Sequence, residues 1–272
     1  MATAGLSRNV PAMQIDEMGP LHPQVRKLLG LPQYVQRTPE WYVARQNRLT
    51  ASDIAAALDI PPFASFSGSP RLELMNKKKY PDSNKFTGNE YTEWGVKHEP
   101  EAIALYESKR NVKVIDFGLM IHPDIPWLGA SPDGITTDGI CIEVKAPLTR
   151  QIQPGVVPHH YYPQVQCQLQ VLDLQTAHFV QYRPKQLTWP HEAILDITVV
   201  PRDDEWWAEA LPQLEKFRQD LHSTDADEEP VAKVRAVRAV KRKEVKCSIV
   251  EGCNDEMVWH GRVPTFIRAE SS

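Results

Sequence analysis

Apolar residues recur every three to four positions along most of the first 110 residues, then switch to alternation. After an irregular start containing Pro11, Gly19 and Pro20, a short helix is expected from His22 to Leu29, closed by Gly30 and Pro32. Thr38-Pro39 is a cap followed by a first-turn proline, so a helix follows it. Thr50 or Ser52 opens a second, "SDIAAAL", which Pro61 and Pro62 end. Ser69-Pro70 repeats the cap-and-proline start for "RLELMNKKKY". A longer helix is predicted from Tyr91 to Arg110, with Trp94, Ile103, Leu105 and Tyr106 as apolar positions. Beyond it "VKVIDFGLMIH" alternates and is β-branched, which predicts a strand. Two more strands fall in "GASPDGITTDGICIEVKAP" (129–147). "YYPQVQCQLQVLDL" reads as a helix, "AHFVQYRP" and "AILDITVVP" as strands, and "RDDEWWAEALPQLEKFRQDLH" as a closing helix. Helices leading into a mixed sheet that helices flank give an α/β (α+β) layered domain.

The pattern breaks after His222. "STDADEEP" is acidic, and "VAKVRAVRAVKRKEVK" then carries seven Lys or Arg against one Glu. The expected organisation is a flexible lead-in over 1–20, a folded domain over 21–222, an acidic linker over 223–230 and a basic tail over 231–272. No apolar run approaches the roughly 18 residues of a membrane span, and the first 20 residues lack a basic-then-apolar signal, so an intracellular location is expected. The four scattered cysteines fit reduced thiols. Cys247, Cys253 and His260 suggest a zinc site only weakly, because no CxxC pair exists and no fourth ligand is evident. A net charge of −4 sets up no global positive field for a polyanion. Basic groups need only line a path, so charge alone leaves nucleic acid open.

The charges in 129–147 need a reason. A three-residue loop Thr137-Asp138-Gly139, with glycine left-handed, is a common hairpin turn. It pairs Ile135 with Cys141 and Gly134 with Ile142, and opposes Asp133 to Glu143 at about 5 Å. A two-residue loop would oppose Asp133 to Val144 instead. Glu143 and Lys145 share one face of the strand, while Ile142 and Val144 face the core. Two carboxylates that close repel unless a cation lies between them, and oxygen ligands favour Mg²⁺, with Mn²⁺ as substitute. Such an ion polarises a phosphoryl oxygen and acidifies bound water, and Lys145 would add a point charge. The plain alternative is a salt-bridged surface hairpin. A glycosidase pair would not want the adjacent lysine. "GASPDG" is not a nucleophile elbow, and no histidine lies near Ser131 in sequence.

The set Asp133, Glu143-Val144-Lys145, written "SPDG…EVK", resembles the PD-(D/E)xK nuclease signature. With it, "EWYVARQNRLTASDI", "WGVKHEPEAIALYE" and "YYPQVQCQLQV" form four ordered blocks over about residues 40–172 that resemble the lambda exonuclease and YqaJ-like viral recombinase family. The resemblance implies a PD-(D/E)xK core, with Asp133 and Glu143 as metal-binding carboxylates, the Val144 carbonyl as a further ligand and Lys145 as the catalytic lysine. It implies that Glu99 helps hold metal-bound water, that Gln164 lies near the active centre and that Tyr161 sits one helical turn before it. Arg45 and Ser52 match a pocket for the 5′-phosphate of a DNA end, a role that an Arg fork and a hydroxyl suit physically. Arg48 is a rival for that role, and Asp53 would oppose it if it faced the same way.

The resemblance further implies 5′→3′ digestion of linear double-stranded DNA ends, a single-strand annealing protein as partner, and a homotrimeric ring. The host compartment would be prokaryotic cytoplasm, or the nucleus or cytoplasm of a eukaryote if the protein is viral. The competing readings are an endonuclease of the same superfamily, a Cas4-like enzyme, which these cysteines do not suit, and a non-catalytic DNA-binding or assembly module, which would not need all of Asp133, Glu143 and Lys145. In the tail, Val231, Val234, Val237 and Val240 stand three apart between basic residues. That spacing suits a helix tracking phosphates, a nuclear localisation signal or a helix docked on the core.

Overall fold

A computed structural model describes residues 19–81, 88–185 and 192–223, with two further short strands, Ser248–Ile249 and Glu256–Val258. Most of the expected lead-in, the acidic linker and the basic tail lie outside the described residues, as do Cys247, Cys253 and His260.

The caps set the helix starts. His22 accepts from the Gln24 amide at the head of α1 (Pro23–Leu29), and Thr38 accepts from Trp41 at the head of α2 (Pro39–Gln46). Strand β1 (Leu49–Thr50) leads into a 3₁₀ turn (Ala51–Asp53) and the single-turn α3 (Ile54–Ala57). The expected second helix is thus split, because the Asp53 carboxylate turns back to accept from both the amide and the hydroxyl of Thr50 at 2.9 Å. Ser69 caps α4 (Pro70–Lys79), and Asn89 caps α5 (Glu90–Arg110).

The strand expected over "VKVIDFGLMIH" is two short strands in different sheets, β2 (Val114–Ile115) and β3 (Met120–Ile121). A distant segment causes the break. Tyr34 exchanges both backbone hydrogen bonds with Leu119, and Gln33 accepts from the Gly118 amide at 2.6 Å. A Cβ at Gly118 would lie 2.1 Å from the Tyr34 carbonyl oxygen, so only glycine fits.

Strands β4 (Leu128–Ala130), β5 (Gly134–Thr136) and β6 (Cys141–Lys145) follow, then α6 (Tyr162–Leu172), β7 (Thr176–Arg183), β8 (Ile194–Pro201) and α7 (Asp204–His222). Strands β1, β4 and β3 form a small sheet. The large sheet runs β2-β5-β6-β7-β8 and continues through β10 (Glu256–Val258) to β9 (Ser248–Ile249). Its central pair, β6 and β7, is parallel and joined through α6; β5–β6 and β7–β8 are antiparallel. The architecture is the mixed sheet flanked by helices that the sequence predicts.

Two cores flank the sheet. On one face Val165, Leu169, Phe179, Trp206 and Phe217 pack with α1, α3 and α4. On the other, Ile142, Val144, Val180 and Ile197 meet Ala102 and Tyr106 of α5. Period-two alternation along β6 puts Ile142 and Val144 in that second core and Glu143 and Lys145 on the first face. Among the described residues no helix is long and apolar enough to cross a membrane.

Candidate active site

The β5–β6 hairpin has the expected register: Gly134 opposes Ile142, and Ile135 opposes Cys141. Gly139 has φ +94°, the Thr136 amide donates to the Ile140 carbonyl at 2.9 Å, and the Thr136 hydroxyl accepts from the Ile140 amide at 2.8 Å. One step further the Asp133 amide bonds the Ile142 carbonyl, and the Asp133 carboxylate accepts from the Val144 amide at 2.7 Å. Local turn chemistry thereby brings the Asp133 carboxylate against the strand that carries Glu143.

Glu143 is 1% exposed, and its carboxylate accepts three hydrogen bonds. Lys145 and the Gln164 amide, at 2.6 Å, share one oxygen, and the Gln168 amide donates to the other at 2.5 Å. Both glutamines come from α6, one turn apart. Helix periodicity sorts the run "QVQCQLQ" into two pairs. Gln164 and Gln168 face Glu143, whereas Gln166 and Gln170 face the β8–α7 junction and bond Pro201, Asp203 and Asp204. Lys145 Nζ also lies 4.8 Å over the Tyr161 ring, which packs on Phe179.

The electrostatics are unbalanced. Burial pushes the Asp133 carboxyl well above its ordinary pKa, the Glu143 charge adds to that, and Lys145 only partly opposes them. Glu99 is likewise raised, by burial first and by Glu143, against the pull of Arg37, which contacts it at 3.4 Å. Burial alone would lower the Lys145 pKa, but the Glu143 and Asp133 charges outweigh it, so Lys145 stays protonated at neutral pH. Three carboxylates against two cations is an arrangement that an added cation relieves.

Among the described residues no three His, Cys, Asp or Glu side chains converge as a ready cage. The donor set that fits a hard cation is therefore the two carboxylates, Asp133 and Glu143, with the Val144 carbonyl.

The second predicted cluster also assembles. Arg45 donates to the Ser52 hydroxyl at 2.9 Å, and its guanidinium lies 4.4 Å over the Trp41 ring. Trp41 in turn donates to Ser131 at 3.0 Å, which ties this cluster to the turn before Asp133. Arg48, the rival, is committed to the Pro126 and Ala44 carbonyls. Asp53 is buried and paired with Lys78 at 2.9 Å. Burial alone would raise the Asp53 pKa, but Lys78, Arg45 and the Thr50 amide together hold it below its ordinary value. A cleft of about 320 Å³ lies beside the two clusters, lined by Ser52 and Asp53, by Tyr161 and Gln164, and by Ile60 and Phe66.

Sequence reasoning missed three supports. Gln168 was legible as the i+4 partner of Gln164. Gln36, which donates to the Phe117 and Pro132 carbonyls and so fixes the turn before Asp133, carried no local signal. Neither did Arg37, which adopts a left-handed backbone (φ +65°) just before α2.

Known proteins share this fold. The alkaline exonuclease LHK-Exo of Laribacter hongkongensis superposes with a TM-score of 0.57 at 29% identity, covering 68% of this chain and 93% of its own. A phage-related exonuclease of Haemophilus somnus, at 13% identity, shares the fold, with a TM-score of 0.51 over 64% of this chain and 93% of that one. An uncharacterized protein of Acanthamoeba polyphaga mimivirus is 30% identical over 170 residues, which are 56% of this chain and 30% of the viral protein's length. The profile of the YqaJ-like viral recombinase domain matches residues 40–176, the span that holds both clusters, and the chain belongs to that family.

Proposed function

We propose that this protein is a divalent-metal-dependent deoxyribonuclease that digests linear double-stranded DNA from the 5′ end and leaves 3′ single strands. The observation that carries the reading is the hairpin register, which sets Asp133 against the β6 strand of Glu143 and Lys145. The nuclease reading is supported by the alkaline exonuclease neighbours and by the family. Asp133, Glu143 and the Val144 carbonyl would hold Mg²⁺, which supplies Lewis-acid activation of the phosphoryl group and of water. Lys145, held protonated by its carboxylate neighbours, serves as a fixed positive charge for the developing phosphorane rather than as a base. Gln164 and Gln168 fix Glu143, and Tyr161 supports the lysine from below. Glu99, steadied by Arg37, is placed to orient the attacking water. Arg45 and Ser52, stacked and tethered through Trp41, take the 5′-terminal phosphate, so that the cleft lays the first nucleotides between pocket and carboxylates.

In this reading residues 21–222 are the nuclease unit, the 3′ strands pass to an annealing protein, and a trimeric ring would keep the enzyme on its substrate. The test uses purified protein with Mg²⁺ on linear duplex with a 5′-phosphate, linear duplex with a 5′-hydroxyl, and closed circular plasmid, with Lys145→Ala protein as the contamination control. Loss of the linear forms alone, faster with the 5′-phosphate, is the expected result. Nicking of the circle would replace it with an endonuclease; no cleavage with Mg²⁺ or Mn²⁺ would leave a binding module.

A further inference from the structure

Arg150, in the loop after Lys145, and Arg183, at the end of β7, form a pair that the two clusters above do not use. In the parallel β6–β7 pairing Lys145 lies beside Gln181, so Arg183, two residues further on β7, projects from the same sheet face. By strand geometry its Cα is about 8 Å from that of Lys145. Arg183 is 8% exposed, and its Nη2 donates to the Arg150 carbonyl at 2.5 Å. Arg150 is half-buried, its Nη1 donates to the Gln151 carbonyl at 3.2 Å, and burial and the Arg183 charge both push its pKa down. Tyr161 is the residue under Lys145 and in the wall of the cleft.

Two features make this pair unusual. Among the described residues no carboxylate pairs with either guanidinium. Each also keeps an enclosed N–H group without an acceptor, Nη2 on Arg150 and Nε on Arg183. Buried guanidinium groups are ordinarily satisfied, and two placed side by side repel. The surroundings nonetheless hold the loop rigid. Gln181 donates to the Gln153 and Val156 carbonyls and to Asp196, and Asp196 accepts from the Gly155 amide. The loop is pinned so that the arginines stay together with nothing negative between them.

We propose that Arg150 and Arg183 form a phosphate subsite for a phosphodiester of the DNA strand lying beside Lys145, with Arg150 making the contact and Arg183 positioning it. The assignment rests on the nuclease reading above and extends its substrate contacts beyond the Arg45–Ser52 pocket. A phosphate supplies the counter-charge that the chain itself withholds, and the planar fork of the half-buried Arg150 suits it.

The test is a binding titration of the full chain with 5′-phosphorylated linear duplex in chelating buffer, at salt from about 50 to 200 mM. Arg150→Gln is expected to bind about 3- to 10-fold more weakly, with the slope of log K against log salt reduced by about 0.7–0.9, one phosphate's share, and an unchanged melting temperature. Arg183→Lys should weaken the wild type but add nothing to Arg150→Gln, because it acts through that residue; a merely structural role would weaken both backgrounds equally. Normal wild-type binding with an unaltered slope in Arg150→Gln overturns the assignment alone. If only inhibition by a 5′-mononucleotide is relieved in Arg150→Gln, the pair binds released product and the DNA assignment falls. Wild-type protein that neither binds nor cuts the duplex removes the nuclease reading and this subsite with it.

Discussion

Asp53 with Lys78 and Glu143 with Lys145 are the same two chemical groups in two settings. Both carboxylates are buried and both are ion-paired. Around Asp53 the cations Lys78 and Arg45 outnumber the single carboxylate, and Lys78 is further fixed by the Arg45 and Arg48 carbonyls. Around Glu143 the carboxylates outnumber the cations, with Asp133 and Glu99 added and only Lys145 and Arg37 opposing. One region holds Asp53 below the ordinary carboxylate range and the other pushes Asp133 and Glu99 above it. The sign of the surplus, rather than the presence of an ion pair, distinguishes them. The surplus cation at Arg45 faces Ser52 and suits an anion. The surplus carboxylates at the hairpin suit a metal.

The widest separation between the two pairs comes from removing each lysine. Lys145→Ala should lower nuclease turnover by about 10²- to 10³-fold, the cost of losing one electrostatic donor, and the stability it loses by deepening the carboxylate surplus should be recovered on adding Mg²⁺. Lys78→Ala should instead destabilise the fold by about 3–5 kcal/mol, because it strands Asp53 and frees two backbone carbonyls. Turnover assays alongside urea denaturation separate the two. A Lys78→Ala protein of normal stability would break the distinction.

A smaller effect is expected from the second layer. Gln168→Ala withdraws the amide from one Glu143 oxygen without touching Asp133 or Lys145. It should raise the Mg²⁺ concentration needed for half-maximal cleavage by about 10- to 100-fold, with the maximal rate recovered at high Mg²⁺. An unchanged Mg²⁺ requirement would mean that Gln168 serves packing rather than the metal site.

Much of this was legible because it is local. Turn chemistry at Thr137-Asp138-Gly139 and strict alternation in "CIEVK" determine the register, and the register places Asp133, Glu143 and Lys145 together. The caps at Thr38 and Ser69 depend on neighbours three residues away, so those helix starts follow from sequence. What escaped depends on contacts across the chain. The break between β2 and β3 comes from Tyr34, and the turn before Asp133 is held by Gln36, each from about 85 to 100 residues away. Arg48 and Arg45 are alike in sequence; the Pro126 and Ala44 carbonyls hold the Arg48 guanidinium, and the Pro126 carbonyl comes from 78 residues away. Asp53, which local reading makes an obstacle to phosphate, is neutralised by a lysine on another helix. A charged residue in a one-dimensional pattern has no sign of surplus, because the surplus is a property of the three-dimensional neighbourhood.

The smallest effect probes that surplus directly. Asp133→Asn retains an acceptor for the Val144 amide but removes a charge that the fold resists. A carboxyl whose folded pKa is raised contributes stability that is fully present below its ordinary value of about 4 and is lost as pH rises through the raised value. In chelating buffer the wild type and Asp133→Asn should therefore melt alike at the acid end. The variant should pull ahead as pH rises toward neutrality, by about 2–4 °C for each kcal/mol of relieved repulsion. Asp53 has the opposite sign: its contribution is present above pH of about 4 and falls away as pH drops through its depressed value, so both proteins should share the same acid limb. Adding Mg²⁺ should raise the melting temperature of the wild type and leave Asp133→Asn nearly unmoved, because only the wild type gains by binding. If Asp133→Asn is less stable than wild type at neutral pH without metal, the carboxylates are not in surplus, and the hairpin would have to be read as one more balanced ion pair like Asp53 and Lys78.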